Sequence, residues 1–210
     1  MVNELGINEQ PTASSAREVI ETSITRAVGV FSSLEKRIRS VRTAQGHDPE
    51  VIDAATKNNC KRIGLLIALA AEKSGLFENI FIVEGSAGLN KPFTRANWYD
   101  HAYMILHAQG VWYFTSPANS GLAPKNEFAK IGTASDLKSA IAQISEYEGG
   151  VWPSSEQITT ALKSFRRSKE PDSSNIPYIK QESFISEGKG PYISVDMPTE
   201  SWSYVEMFCS

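Results

Sequence analysis

The sequence predicts an α+β protein. Three observations carry this. A long N-terminal stretch repeats apolar residues at steps of three and four, a second run in the middle is apolar almost all round, and β-branched and aromatic runs come only after both. Helices first and strands afterwards argue against alternating βαβ units. In finer detail, the order predicts a central helix packed on an antiparallel sheet, preceded by a long N-terminal helix.

The elements follow in order. Ser15 with Glu18 three residues on forms a capping box. Behind it Val19, Ile20, Ile24, Ala27, Val28, Phe31, Leu34, Ile38 and Val41 make one apolar helix face, while Arg26, Lys36, Arg37, Arg39 and Arg42 lie opposite as a solvated face. Gly46 ends this helix, and Asp48-Pro49 begins another, with Pro at the first helical position. From Cys60 a Leu/Ala-rich run continues to Ser74 and stops at Gly75, a good residue for the left-handed cap. Its apolar circumference predicts a buried helix. Ile80–Glu84 reads as a strand, 86–98 as a loop, and His101–His107 and Val111–Thr115 as a hairpin joined at Ala108-Gln109-Gly110. Leu137, Ile141, Ile144 and Tyr147 mark a further helix, and Ile158, Leu162 and Phe165 another behind a Ser154/Gln157 capping box. Strand-like patches at 178–184, 192–195 and 204–208 complete the chain, and Ser168–Asn175 reads as a polar linker.

Composition bounds the function. The chain has 210 residues, 41% of them hydrophobic, enough for a core without a disulfide or zinc staple. Two cysteines, Cys60 and Cys209, and three histidines leave no disulfide framework, and no metal or other cofactor is expected. A net charge of −3 offers no basic footprint, so no nucleic-acid partner is expected. The longest apolar stretch, 63–71, is about half a bilayer span and is flanked by charges, so no membrane partner is expected. Residues 1–13 read as a polar, flexible leader without Sec-signal character, which predicts a cytoplasmic location where the protein is made and leaves non-Sec export open. The rest, 14–210, reads as one domain: a helical arm (14–46), a core (47–124) and a helical and strand extension (125–210). The oligomeric state is not legible.

Cys60 is the chemically interesting thiol. At the first turn of a helix, unpaired backbone N–H groups and the helix dipole favour thiolate over thiol. Taken alone, a free cysteine is more often a buried structural residue. A cysteine nucleophile also needs a base. His101 opens a strand beside a loop and is the better candidate, while His107, about 20 Å further along at strand rise, reads as a hydrogen-bonded strand residue. Trp112-Tyr113 reads as core packing, Arg166-Arg167-Ser168-Lys169 as a solvated cluster, and Cys209 as a thiol without a role.

The order of these residues resembles the transglutaminase-like, papain-like superfamily over roughly residues 50–120. The resemblance rests on Cys60 at the head of a Leu/Ala-rich helix, a strand ending at Gly85, then His101-Ala102, Gly110-Val111-Trp112-Tyr113 and Ser116-Pro117 at family spacing. It implies a Cys–His–Asp centre that acts through a thioester. Ser116 stands where the family has the orienting Asp. It can accept a hydrogen bond from the imidazole but carries no charge. Asn119 is the alternative third member on chemistry, and Asp100, adjacent to His101, points to the other strand face. The Cys60 N–H with Asn59, Asn58 or Trp98 would hold the oxyanion. The resemblance implies a cysteine hydrolase or acyltransferase acting on a protein or peptide. Protease or glutamine deamidase chemistry is expected ahead of transamidation, because the crosslinking members' β-domains and calcium loop have no counterpart here. An effector or toxin role is compatible with the polar leader. The rival expectation is a catalytically degenerate binding module of the same fold, and a weaker one makes the long N-terminal helix an interaction arm.

Overall fold

The computed structural model describes residues 13–49, 60–88, 98–116, 131–168, 176–181 and 193–194. Its elements run α1 (Ala13–Ala44), α2 (Cys60–Ser74), β1 (Asn79–Gly88), β2 (Trp98–Ala108), β3 (Val111–Thr115), β4 (Gly132–Ala134), α3 (Leu137–Glu148), α4 (Ser155–Ser168), β5 (Tyr178–Gln181) and β6 (Ile193–Ser194). The six strands form one sheet in the order β4-β3-β2-β1-β5-β6. The α+β class therefore holds.

β1, β2 and β3 are a meander. β1 and β2 pair antiparallel over their full length, from Asn79 opposite His107 to Gly88 opposite Trp98. β2 and β3 are joined by Gln109-Gly110, both at positive φ (52° and 75°), the signature of a tight hairpin turn whose twist matches that of the strands. β1 and β2 are longer than the apolar runs predict, because polar residues such as Ser86 and Asp100 continue the ladder. β4 has three residues, too few to show a period.

The sheet is mixed, which corrects the expected all-antiparallel one. β5 pairs parallel with β1, Tyr178 opposite Ile82. After β4 at one edge, the chain crosses the sheet through α3 and α4 and returns beside β1. Such a crossover is what parallel pairing requires. The extension beyond 125 thus contributes β4, β5 and β6 to the same sheet as the core.

The sheet is covered on both faces, and strand alternation assigns each residue to one of them. Ala102, Met104, Leu106 and Ala108 of β2 pack with Ile82, Tyr113 and Tyr178 beneath Ile63, Leu65, Ile67, Ala68 and Ala71 of α2. Ala16, Ile20, Ile24 and Ala27 of α1 join this layer. α2 is the buried central helix that its composition predicts. Each large aliphatic side chain it buries contributes about 1.5–3 kcal/mol. Gly75, at φ 66°, ends it where expected. On the opposite face Tyr103 and Ile105 of β2, with Phe81, Val83, Phe114 and Ile179, pack under Ala140, Ile141 and Ile144 of α3 and Ile158 and Ala161 of α4.

Two helical expectations shift. The described α1 begins at Ala13, two residues ahead of the expected cap at Ser15. Its apolar stripe is not covered to the end, since Val41 is exposed. On α3, Tyr147 is exposed rather than buried. After Ile141 and Ile144 the inward position can fall three or four residues on, and the sheet receives Glu148 instead. The Ser154/Gln157 box forms as expected. The Ser154 N–H donates to Gln157 Oε1 (2.7 Å), and the Gln157 N–H donates to Ser154 Oγ (3.2 Å). The expected helix after Asp48-Pro49, the strand at 204–208 and Cys209 lie outside the described residues.

Gly85 pairs with His101 across β1 and β2. A Cβ there would sit 2.6 Å from Trp152 Cε3 and 2.7 Å from the Val151 carbonyl oxygen. Val151 is itself tied to Ser86 by reciprocal backbone hydrogen bonds of 2.9 and 2.8 Å. Bare backbone at Gly85 therefore lets the α3–α4 connection lie on the sheet beside His101. Gly85→Ala is expected to lower stability by about 1–3 kcal/mol through overpacking against backbone that cannot swing away. Asp136, which caps α3 by accepting from the Ser139 N–H at 2.8 Å, is expected to cost about 1 kcal/mol as Asp136→Ala. Urea titrations of both variants measure these losses.

Candidate functional site

His101 is the fourth residue of β2 and is buried. The β2–β3 hairpin brings Ser116 beside it, one residue past the end of β3. Ser116 Oγ lies 2.7 Å from His101 Nε2 and also donates to the Ala102 carbonyl oxygen at 2.9 Å. A hydroxyl has one hydrogen. In the Nε2–H tautomer the ring donates to Ser116 while the Ser116 hydrogen goes to Ala102.

Glu148, at the end of α3, faces the same edge of the ring. Its Oε1 is 3.6 Å from His101 Nε2 and accepts the Tyr103 hydroxyl at 2.6 Å. The imidazole and carboxylate side chains are only 6% and 9% exposed. Tyr103 meets His101 edge-on with ring centroids 5.5 Å apart, and Trp152 meets Tyr103 in the same way at 5.5 Å. Trp152 is anchored by its indole N–H on the Gly149 carbonyl at 2.8 Å. Burial pushes the His101 pKa below its ordinary value, and the nearby Glu148 charge opposes that shift.

The sequence-predicted residues divide. The structure brings His101 and Ser116 together. Cys60 is the first described residue of α2, and its side chain lies outside what is described. Gly64, four residues along, lies over Ile82, with 3.9 Å from an ideal Cβ to Ile82 Cδ1. About 6 Å of helix rise from there carries the start of α2 towards the Gly85 end of β1. α2 and His101 thus share one end of the sheet but not one face. Ala102 lies under α2, whereas His101, in phase with Tyr103, faces α3. On the α2 face at this level stand the buried Glu84 and, 3.6 Å from it, Lys180 Nζ. Asn58, Asn59 and Asn119 lie outside the described residues. Trp98 opens β2, and nothing of its side chain is described.

His107 is the expected strand residue. Its Nδ1 is 2.8 Å from Glu78 Oε2, and its ring stacks on Trp112 at 4.4 Å. Among the described residues no group of three His, Cys, Asp or Glu side chains is arranged to hold a metal ion. No described helix is long and apolar enough to cross a membrane.

Sequence reasoning missed Glu148, Tyr103 and Trp152. The signal for Glu148 was present: it occupies an inward phase of a helix whose other inward residues are apolar. A cleft of about 910 Å³ is lined by residues of both α1 and α3, from the two faces of the sheet. Its walls include Arg17, Tyr103, Phe114, Ile144 and Tyr147. Tyr103 alone is common to the cleft and the His101 cluster. In comparisons with protein-family models, curated proteins and solved structures, the chain matches none.

The lowered His101 pKa sets a pH dependence. The unfolded chain, with its histidine near the ordinary value of 6.5, takes up a proton before the folded chain does. Stability from the neutral imidazole is full above that pH. It is lost as pH falls from 6.5 to the lower folded value. Urea midpoints measured across this window should fall on acidification, and should fall less for His101→Gln.

Proposed function

We propose that the chain is a cysteine-dependent amide-bond enzyme acting on a protein or peptide, with Cys60 as nucleophile and His101 as base. One observation carries the reading. Ser116 Oγ lies 2.7 Å from His101 Nε2, at the strand spacing of the superfamily the sequence resembles; in the Nε2–H tautomer it accepts from the ring, and Nδ1 is the nitrogen that takes up a proton. The start of α2 at the same end of the sheet is a second support.

In this reading His101 Nδ1 takes the Cys60 thiol proton as sulfur attacks the substrate carbonyl carbon. The proton passes to the departing amine or ammonia, leaving a thioester. Water then adds, its proton going to Nδ1, and thiolate leaves to release the acid. Hydrolysis or deamidation fits this sequence, and transamidation would need an amine in place of water. An effector or toxin role belongs to the same proposal.

Strand alternation favours a second reading. With Ala102 beneath α2 and His101 on the α3 face, a thiol at the head of α2 reaches Nδ1 only around the end of the sheet. A degenerate binding module of the same fold would retain His101 and Ser116 as a buried structural pair. The two readings differ in the reactivity of Cys60. In the enzyme, iodoacetamide should alkylate Cys60 rapidly at about pH 6–7, and His101→Ala should slow it by an order of magnitude or more. Peptide mapping separates Cys60 from Cys209. Alkylation no faster than that of an ordinary thiol, together with a biological effect that survives Cys60→Ala, would sink the enzymatic reading.

A further inference from the structure

The residue that hydrogen-bonds His101 Nε2 brings no charge, so an imidazolium formed at His101 needs its counter-charge from elsewhere. We propose that Glu148 is the positioning carboxylate of His101, supplying from α3 the negative charge that Ser116 lacks. The inference rests on the reading of His101 as the base.

The geometry divides the two tasks between two residues. Ser116, at 2.7 Å, takes the Nε2–H and fixes the ring. Glu148 Oε1, at 3.6 Å from the same nitrogen, is beyond hydrogen-bond reach and acts through its charge. The neutral ring gains little from that charge. The imidazolium gains much more, because both side chains are withdrawn from water and screening is weak. An interaction that strengthens as charge develops favours proton transfer to the ring over its resting state.

A carboxylate in the last turn of a helix meets the negative end of the dipole, and burial adds desolvation. The Tyr103 hydroxyl, donating at 2.6 Å, holds one carboxylate oxygen against the ring edge. Several of the described elements meet at this cluster. α3 brings Glu148, β2 brings Tyr103 and β3 leads into Ser116. Gly85 of β1 brings no side chain, and Trp152 covers it. Glu84 and Lys180 project from the other face of the sheet.

The test is an NMR pH titration of the full chain, following the His101 ring and the Glu148 carboxyl carbon from about pH 4 to pH 8. The Glu148 carboxyl resonance should show a step at the His101 midpoint. Glu148→Gln should move that midpoint down, while Glu146→Gln, two residues away on α3, should leave it in place. A Glu148 resonance without that step, or a midpoint unmoved in folded Glu148→Gln, overturns the inference. The first measurement uses the unaltered chain and so does not depend on the variant folding. Coupling between Glu148 and His101 with Cys60 alkylation indifferent to His101→Ala overturns the enzymatic reading but upholds the charge pairing. Alkylation that depends on His101, with no coupling, overturns the role of Glu148 alone.

Discussion

Strand alternation along β2 is the constraint on which the rest depends. β2 lies inside the sheet, paired on both edges and buried on both faces, so each of its side chains must enter one of two layers. Even-numbered residues from Ala102 to Ala108 complete the layer under α2, and Tyr103 and Ile105 the layer under α3 and α4. A one-residue slip would exchange the two sets and place Tyr103 where Ala102 now fits beneath a helix. The same register fixes His101 beside Tyr103, and through the hairpin it fixes Ser116 beside His101.

The polar cluster around His101 is built from four separate pieces of chain, held by contacts of different kinds. The Gln109-Gly110 turn sets the register that aligns Ser116. The cap at Asp136 and the apolar face of α3 aim Glu148 at the sheet. Gly85 opens room for the α3–α4 connection, and Trp152 closes over Tyr103. Burial makes the imidazole a weaker base, and the carboxylate partly restores its proton affinity.

Much of this was legible in the chain. The α2 run, the Gly75 stop, the hairpin turn and the Ser154/Gln157 box are local features, set by residues within a few positions of one another. The pairing of His101 with Ser116 was suggested by the family resemblance, which left Asn119 as an alternative, and the hairpin brings His101 and Ser116 together. Glu148 was not legible, although its place in the helical phase marks it. Periodicity allowed either Tyr147 or Glu148 to turn inward, and only the position of the sheet chose between them.

By itself, then, the sequence determined the α+β class, the apolar helix that stops at Gly75 and the β2–β3 hairpin. Each of these comes from short-range chemistry, in turn residues, caps and period. The tertiary structure decided the parallel pairing of β5, the assembly of Glu148, Tyr103 and Trp152 around the imidazole, and the layer that each helix covers. Those depend on which faces meet after the chain has crossed the sheet. Spacing along a strand says that His101 and Ala102 point oppositely, but not which of them looks towards α2. Packing gave that place to the smaller residue, Ala102, and turned the histidine to the side where a carboxylate waits.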